Sequence, residues 1–229
     1  MKKLSTIKKV VFLTLFFVLA IPLALPADDK AWPAASKMRL AVLPFQAVSP
    51  DDGQSSSVRC PVCGSVNSSG SIVKGAEKVV QDLFTDKLRD LKSTDIISSE
   101  KAAGAYQRIS SDSMKQTQKE LIKKVGAELH ADFLVAGYVY HYRERMGYDY
   151  AVERPASVGF EIHLISVKDG SSLWRGIFDK TQKSLMEDVF QASSFFKGGA
   201  KWLTARELTK LGIDEIFETF PGVEPERQK

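Results

Sequence analysis

The run Phe133–Tyr142, FLVAGYVYHY, constrains this chain more than any other stretch. It is apolar, β-branched and aromatic nearly throughout, and it follows a helix-period segment that ends near Glu128. Such a run marks a junction where a helix stops and a central strand begins. Before the junction the chain alternates strands with helices. After it come paired strands and then helices.

Arg39–Phe45 (RLAVLPF) is a short apolar run closed by Pro44. Proline offers no N–H to a ladder, so this first strand is expected to leave the sheet there. Gln46–Gly70 is rich in Ser, Gly and Asp, lacks periodicity and holds both cysteines of the chain. A structureless loop of that length inside a domain is usually functional or disordered. From Ser71 a helical stripe appears, with Ala76, Val80, Phe84 and Leu88 on one face. A short strand at Asp95–Ser98 and a weak helix through Ala102 and Tyr106 follow. Ser113 with Gln116 offers a capping box for the helix that runs into the central strand.

Beyond Tyr142, Val158, Phe160, Ile162 and Leu164 alternate with Gly159, Glu161 and His163, which predicts a half-buried strand. Lys168-Asp169-Gly170-Ser171 is a tight-turn sequence, and Leu173–Phe178 returns as the partner strand. Ser184 with Glu187 and Thr204 with Glu207 are further capping boxes, Leu203 and Leu208 suit a hydrophobic staple, and Gly212 is expected to end or bend the last helix. The order predicts an α/β fold: a single layered domain with a mixed β-sheet (β-α-β-α-β, then an antiparallel hairpin) and C-terminal helices.

Residues 1–27 stand apart. Lys2, Lys3, Lys8 and Lys9 precede an apolar run from Val10, and Leu25-Pro26-Ala27 ends in a small residue. This is the layout of a signal peptide cleaved near Ala27, and it predicts export to the periplasm. No cysteine precedes Cys60, so a lipid-acylated cysteine at that site is not expected. The chain has 32 Lys and Arg against 28 Asp and Glu; the first 27 residues hold four lysines and no acid, which leaves 28 facing 28. A basic footprint for nucleic acid is therefore missing from the exported part. The expected organisation is a signal peptide (1–27), a linker (28–37), a domain (38–221) with a CxxC insertion (46–70), and a polar tail (222–229).

Cys60-Pro61-Val62-Cys63-Gly64 carries three readings. In an oxidising compartment the two cysteines suit a local disulfide, the preferred reading. The five residues also match a zinc knuckle, but a closed site needs four ligands, so His130, His141, His163 or a second subunit would have to complete it. Redox activity requires a helix starting at the motif, and Gly64–Gly70 reads as loop. His141 and His163 lie on strands that could pair, and are expected as partly exposed imidazoles on an open sheet face. His130 falls at a helix C-terminus, where it needs no ligand. The chain has no HExxH, GxSxG, GxGxxG or phosphate-loop pattern, so neither an enzyme nor a small-molecule substrate is expected.

Tyr138, Tyr140 and Tyr142 share one side of their strand by spacing, and Tyr148 and Tyr150 follow the turn. They suit cross-strand packing, or a contact surface for a protein partner. Arg143, Glu144, Arg145, Glu153 and Arg154 interrupt the alternation a membrane hairpin needs.

Leu43-Pro44-Phe45, then Ala131-Asp132-Phe133-Leu134-Val135-Ala136-Gly137, then Asp169-Gly170 with Leu173-Trp174 resemble the curli-secretion lipoprotein (CsgG-like) family. The amino-terminal domain of TolB and the penicillin-binding-protein activator lipoproteins look similar in the same stretches. The resemblance covers residues 38–180. It implies a non-catalytic assembly or accessory factor of the bacterial envelope that binds a protein partner, with homo-oligomers and peripheral or outer-membrane association left open. The competing reading is a metal-binding or thiol-redox protein acting through Cys60 and Cys63, and a third is a secretion-channel subunit.

Overall fold

Strand β1 (Met38–Val42) runs parallel to the edge strand β5 (Thr94–Ile97) on one side and to the middle strand β6 (Phe133–Arg143) on the other. The computed structural model describes residues 38–50, 55–91, 94–111, 117–182 and 201–223. The signal-peptide and linker segments, the Ser113–Gln116 box, the helix expected after Ser184, and residues 224–229 of the tail lie outside these. Among the described residues, no helix is long and apolar enough to cross a membrane.

The order of strands is β10-β9-β6-β1-β5, with β9 (Ser157–Ser166) antiparallel to β6, and β10 (Ser172–Thr181) antiparallel to β9. A sixth, very short strand, β2 (Gln46–Ala47), runs parallel along β6 at Tyr138 and Val139. The first strand thus ends before Pro44, as expected, and the chain then returns to the same neighbour as β2. The result is a mixed, open six-stranded sheet with helices on both faces, the α/β class the element order implies.

The two faces are built differently. On one, helices α1 (Ala76–Arg89) and α4 (Ala205–Phe217) bury an aromatic core in which Phe84 meets Phe45, Phe217 and Phe220, and Trp174 packs edge-on against Phe220. Helix α4 begins at the capping box of Thr204 and Glu207, and Leu203 and Leu208 are both buried beside it. Gly212 does not end this helix, which runs on to Phe217. A Cβ there would sit 2.6 Å from the Phe178 ring, so glycine lets α4 lie directly on β10.

On the other face, α2 (Ser99–Ser111) and α3 (Gln118–Leu129) pack through Ala102, Ala105, Leu121, Ile122 and Val125. Thr117 with Glu120 caps α3. The helix closes at His130, which takes a left-handed φ of 50°, and Asp132 ties the next strand down by accepting the Arg39 backbone N–H at 2.9 Å. Cys60 completes this core, with Val58 and Val62 packed against it.

That last contact corrects the reading of the 46–70 insertion as structureless. Besides β2, it contains an antiparallel pair, β3 (Ser57–Arg59) and β4 (Val66–Ser68), joined through the cysteine motif and folded onto the sheet. With both faces covered, β9 is buried along nearly its whole length rather than half-buried. Between Val139 and His141 a β-bulge shifts the register of β6 against β9. Residues beyond a bulge swap faces.

Candidate functional site

The cysteine motif folds as a tight knuckle between β3 and β4. The fixed φ of Pro61 starts the turn and Gly64 closes it in the left-handed region, at φ 72°. The Cys60 N–H donates to the Ser65 carbonyl at 2.8 Å, the Gly64 N–H donates to the Cys60 carbonyl at 2.9 Å, and the backbone amides of Cys63 and Val62 point at the Cys60 sulfur. A strand, not a helix, follows Cys63, so the motif lacks the helix N-terminus that activates thiols in disulfide oxidoreductases. Both thiols are free, Cys60 buried and Cys63 exposed; the preferred disulfide is not formed.

Beneath the knuckle lie Glu161 and His163, neighbours on one face of β9 and both fully buried. Cys60 Sγ is 3.3 Å from His163 Nε2, Cys63 Sγ is 3.2 Å from Glu161 Oε1, and His163 Nε2 is 2.9 Å from Glu161 Oε1. The four donor atoms all lie within 4.8 Å of one another.

A shell of hydrogen bonds holds this group. Glu161 accepts from Arg175 Nε, from the Tyr140 hydroxyl at 2.9 Å, from Asn67 Nδ2 at 3.0 Å and from the Ser65 hydroxyl at 3.1 Å. Arg175 also donates to Ser65 Oγ at 2.9 Å. Burial alone would raise the Glu161 carboxyl, but the bonds from His163, Arg175, Cys63 and Tyr140 overcome it and hold the group well below the usual carboxylate range. Burial pushes the Cys60 thiol and the Tyr140 hydroxyl up.

The histidines do not sit on an open face. His163 belongs to the cluster just described. His141 is buried separately, between the Ser157 hydroxyl (3.1 Å from Nδ1) and Asp179 (3.1 Å from Nε2), with Ser157 bonded in turn to Thr181 at 2.7 Å. This Ser, His and Asp set stitches β6, β9 and β10 together; its serine is buried and already engaged.

Nor do the five tyrosines form one surface. Tyr138, Tyr140 and Tyr142 are 1%, 2% and 5% exposed. Tyr138 accepts from Gln118 at 3.1 Å and Tyr140 donates to Glu161, while the bulge turns Tyr142 into the opposite core, beside Thr209 of α4. Spacing alone placed them on one side, and the inserted residue breaks that rule. Tyr148 and Tyr150, by contrast, are 82% and 83% exposed on a projecting hairpin of β7 (Met146–Tyr148) and β8 (Ala151–Arg154). It is pinned to the segment before α4 at its base, where Arg145 donates to the Trp202 carbonyl at 2.7 Å, and at its turn, where the Trp202 N–H donates to the Asp149 carbonyl at 2.7 Å.

No protein-family model and no curated protein matches the chain. Solved structures that align with it include a PelC dodecamer from Paraburkholderia phytofirmans, at 14% identity over 85% of this chain and 95% of that one, TM-score 0.44. Others are the LpoB C-terminal domain from Escherichia coli (12% identity, 66% and 88% covered, TM-score 0.39) and lipoprotein GNA1162 from Neisseria meningitidis (12% identity, 71% and 99% covered, TM-score 0.39). At such identities and TM-scores, none of them assigns this chain a role.

Proposed function

We propose that this chain is an exported, non-catalytic accessory protein of the bacterial cell envelope that engages a protein partner through the β7–β8 hairpin. The observation that carries the reading is the pair Tyr148 and Tyr150, more than four-fifths exposed on a hairpin whose base is fastened to the domain. Met146 beside them is 47% exposed. Exposed aromatic and methionine side chains on a rigid mount are what interface anchors require, since little conformational entropy is lost on docking. Exposed Glu144, Glu153 and Arg154 supply a rim of both charge signs, which suits a protein surface better than a uniformly charged polymer. The signal-like residues 1–27 and the CsgG- and TolB-like segments support the envelope as the place of action.

Site-specific photo-cross-linking in intact cells tests this. A cross-linking residue at position 148 or 150 should give a discrete adduct with one envelope protein, and the same residue at exposed Lys123 on α3 should not. Equal labelling at all three positions, or none at any, overturns the proposal.

A further inference from the structure

The geometry points to a structural zinc site formed by Cys60, Cys63, Glu161 and His163, which fastens the 46–70 insertion to the sheet. The inference stands apart from the hairpin and its partner.

Three observations converge. The first is the donor set. Two thiolates, an imidazole and a carboxylate form a tetrahedral combination that selects zinc among common divalent ions. Zinc bonds of about 2.0–2.3 Å imply donor-to-donor edges of about 3.3–3.8 Å, and the donors here stand at 2.9, 3.2 and 3.3 Å where they touch. Small outward shifts open the group to a coordination sphere.

The second is the orientation of His163. His163 Nε2 stands 2.9 Å from Glu161 Oε1 and 3.3 Å from Cys60 Sγ, and Nδ1 stands 3.2 Å from the Ser172 hydroxyl. With Nε2 on a cation, Nδ1 carries the ring proton and the Ser172 hydroxyl is placed to accept it. A hydrogen-bond acceptor on the far ring nitrogen is the usual partner of a metal-bound histidine.

Charge is the third. Zinc with two thiolates, one carboxylate and a neutral imidazole carries a single net negative charge. The Arg175 guanidinium, bonded to both Glu161 and Ser65, cancels it, as burial of such a group requires.

The role is structural. The ligands come from residues 60 and 63 on the insertion and 161 and 163 on the central hairpin, and all four positions are filled by protein, leaving none for substrate. Metal binding thereby couples to folding of the β3–β4 pair.

The test uses the full chain, purified with both thiols reduced and free of metal, then titrated with Zn2+ against a competing chelator. One zinc per chain should bind. Co2+ as a stand-in should give tetrahedral ligand-field bands with sulfur-to-metal charge transfer. Cys63→Ser, at an exposed position that leaves the core intact, should weaken zinc binding by more than the roughly 10–100-fold typical of losing an outer hydrogen-bond partner. His163→Gln should do the same, with circular dichroism confirming the fold. Removing zinc from the wild type should speed amide exchange in Val58–Ser68 and leave α4 unchanged. A reduced, folded wild type that binds no zinc overturns the inference, as does unaltered affinity in both variants.

Discussion

The two faces of the central sheet solve burial in opposite ways. The face under α1 and α4 is held by Phe84, Phe217, Phe220, Trp174 and Phe178, whose attraction depends on shape and area. The face under the cysteine knuckle buries Glu161, His163 and Tyr140, which are tolerable there only because each has named partners. An apolar face loses stability in proportion to what is removed; a polar one fails when a single partner is lost. The stable scaffold and the candidate site are thus separated by one layer of strands.

That contrast can be broken by substitution. Phe84→Ala, which empties the meeting point of Phe45, Phe217 and Phe220, should lower unfolding free energy by about 3–5 kcal/mol in denaturant melts, without changing thiol reactivity. In metal-free protein, Glu161→Gln should lower it by about 1–3 kcal/mol, because Arg175 loses its charged acceptor and the donors are mismatched. It should also raise the reactivity of Cys63 toward a thiol reagent. If Glu161→Gln costs more than Phe84→Ala, the polar face is the true anchor and the contrast is inverted. Thr204→Ala, which removes the α4 cap on the apolar side, should cost about 1 kcal/mol by the same melts.

The smallest effect is a pH dependence on the apolar side. Glu207 is held down at about 2, first by Lys201 and then by the Thr204 amide. A carboxylate depressed in the folded state adds stability above its unfolded value, near 4.5, and loses it as pH falls toward 2. The Glu207 side chain is 42% exposed, so solvent screens the gain to under about 1 kcal/mol. Melts from pH 6 to 2 should show this slope in the wild type and a flatter one in Lys201→Met.

Local chemistry was legible from the chain. Asp169-Gly170 marks the β9–β10 turn, where Gly170 takes φ 71°, and Thr204 with Glu207 marks the start of α4. The Phe133–Tyr142 run becomes the long strand β6 it implied. What the chain did not disclose was relational. Cys60 meets His163 across 103 positions, a proximity that neither periodicity nor spacing encodes. The signal lay in two polar residues, Glu161 and His163, inward-facing on a strand otherwise packed with Val, Phe, Ile and Leu. Likewise, the bulge that parts Tyr142 from Tyr138 and Tyr140 leaves no mark in an alternating pattern of tyrosines.

The place of β1 between β5 and β6 has a consequence in time. A chain made from its N-terminus produces Met38–Val42 first among the six strands, yet both flanks of that strand are supplied later, by Thr94–Ile97 and Phe133–Val135. About 55 further residues must emerge before β5 can pair with it, and about 93 before β6 can. The first strand made is therefore the one that waits longest for both its neighbours, and it needs shelter from aggregation for that interval.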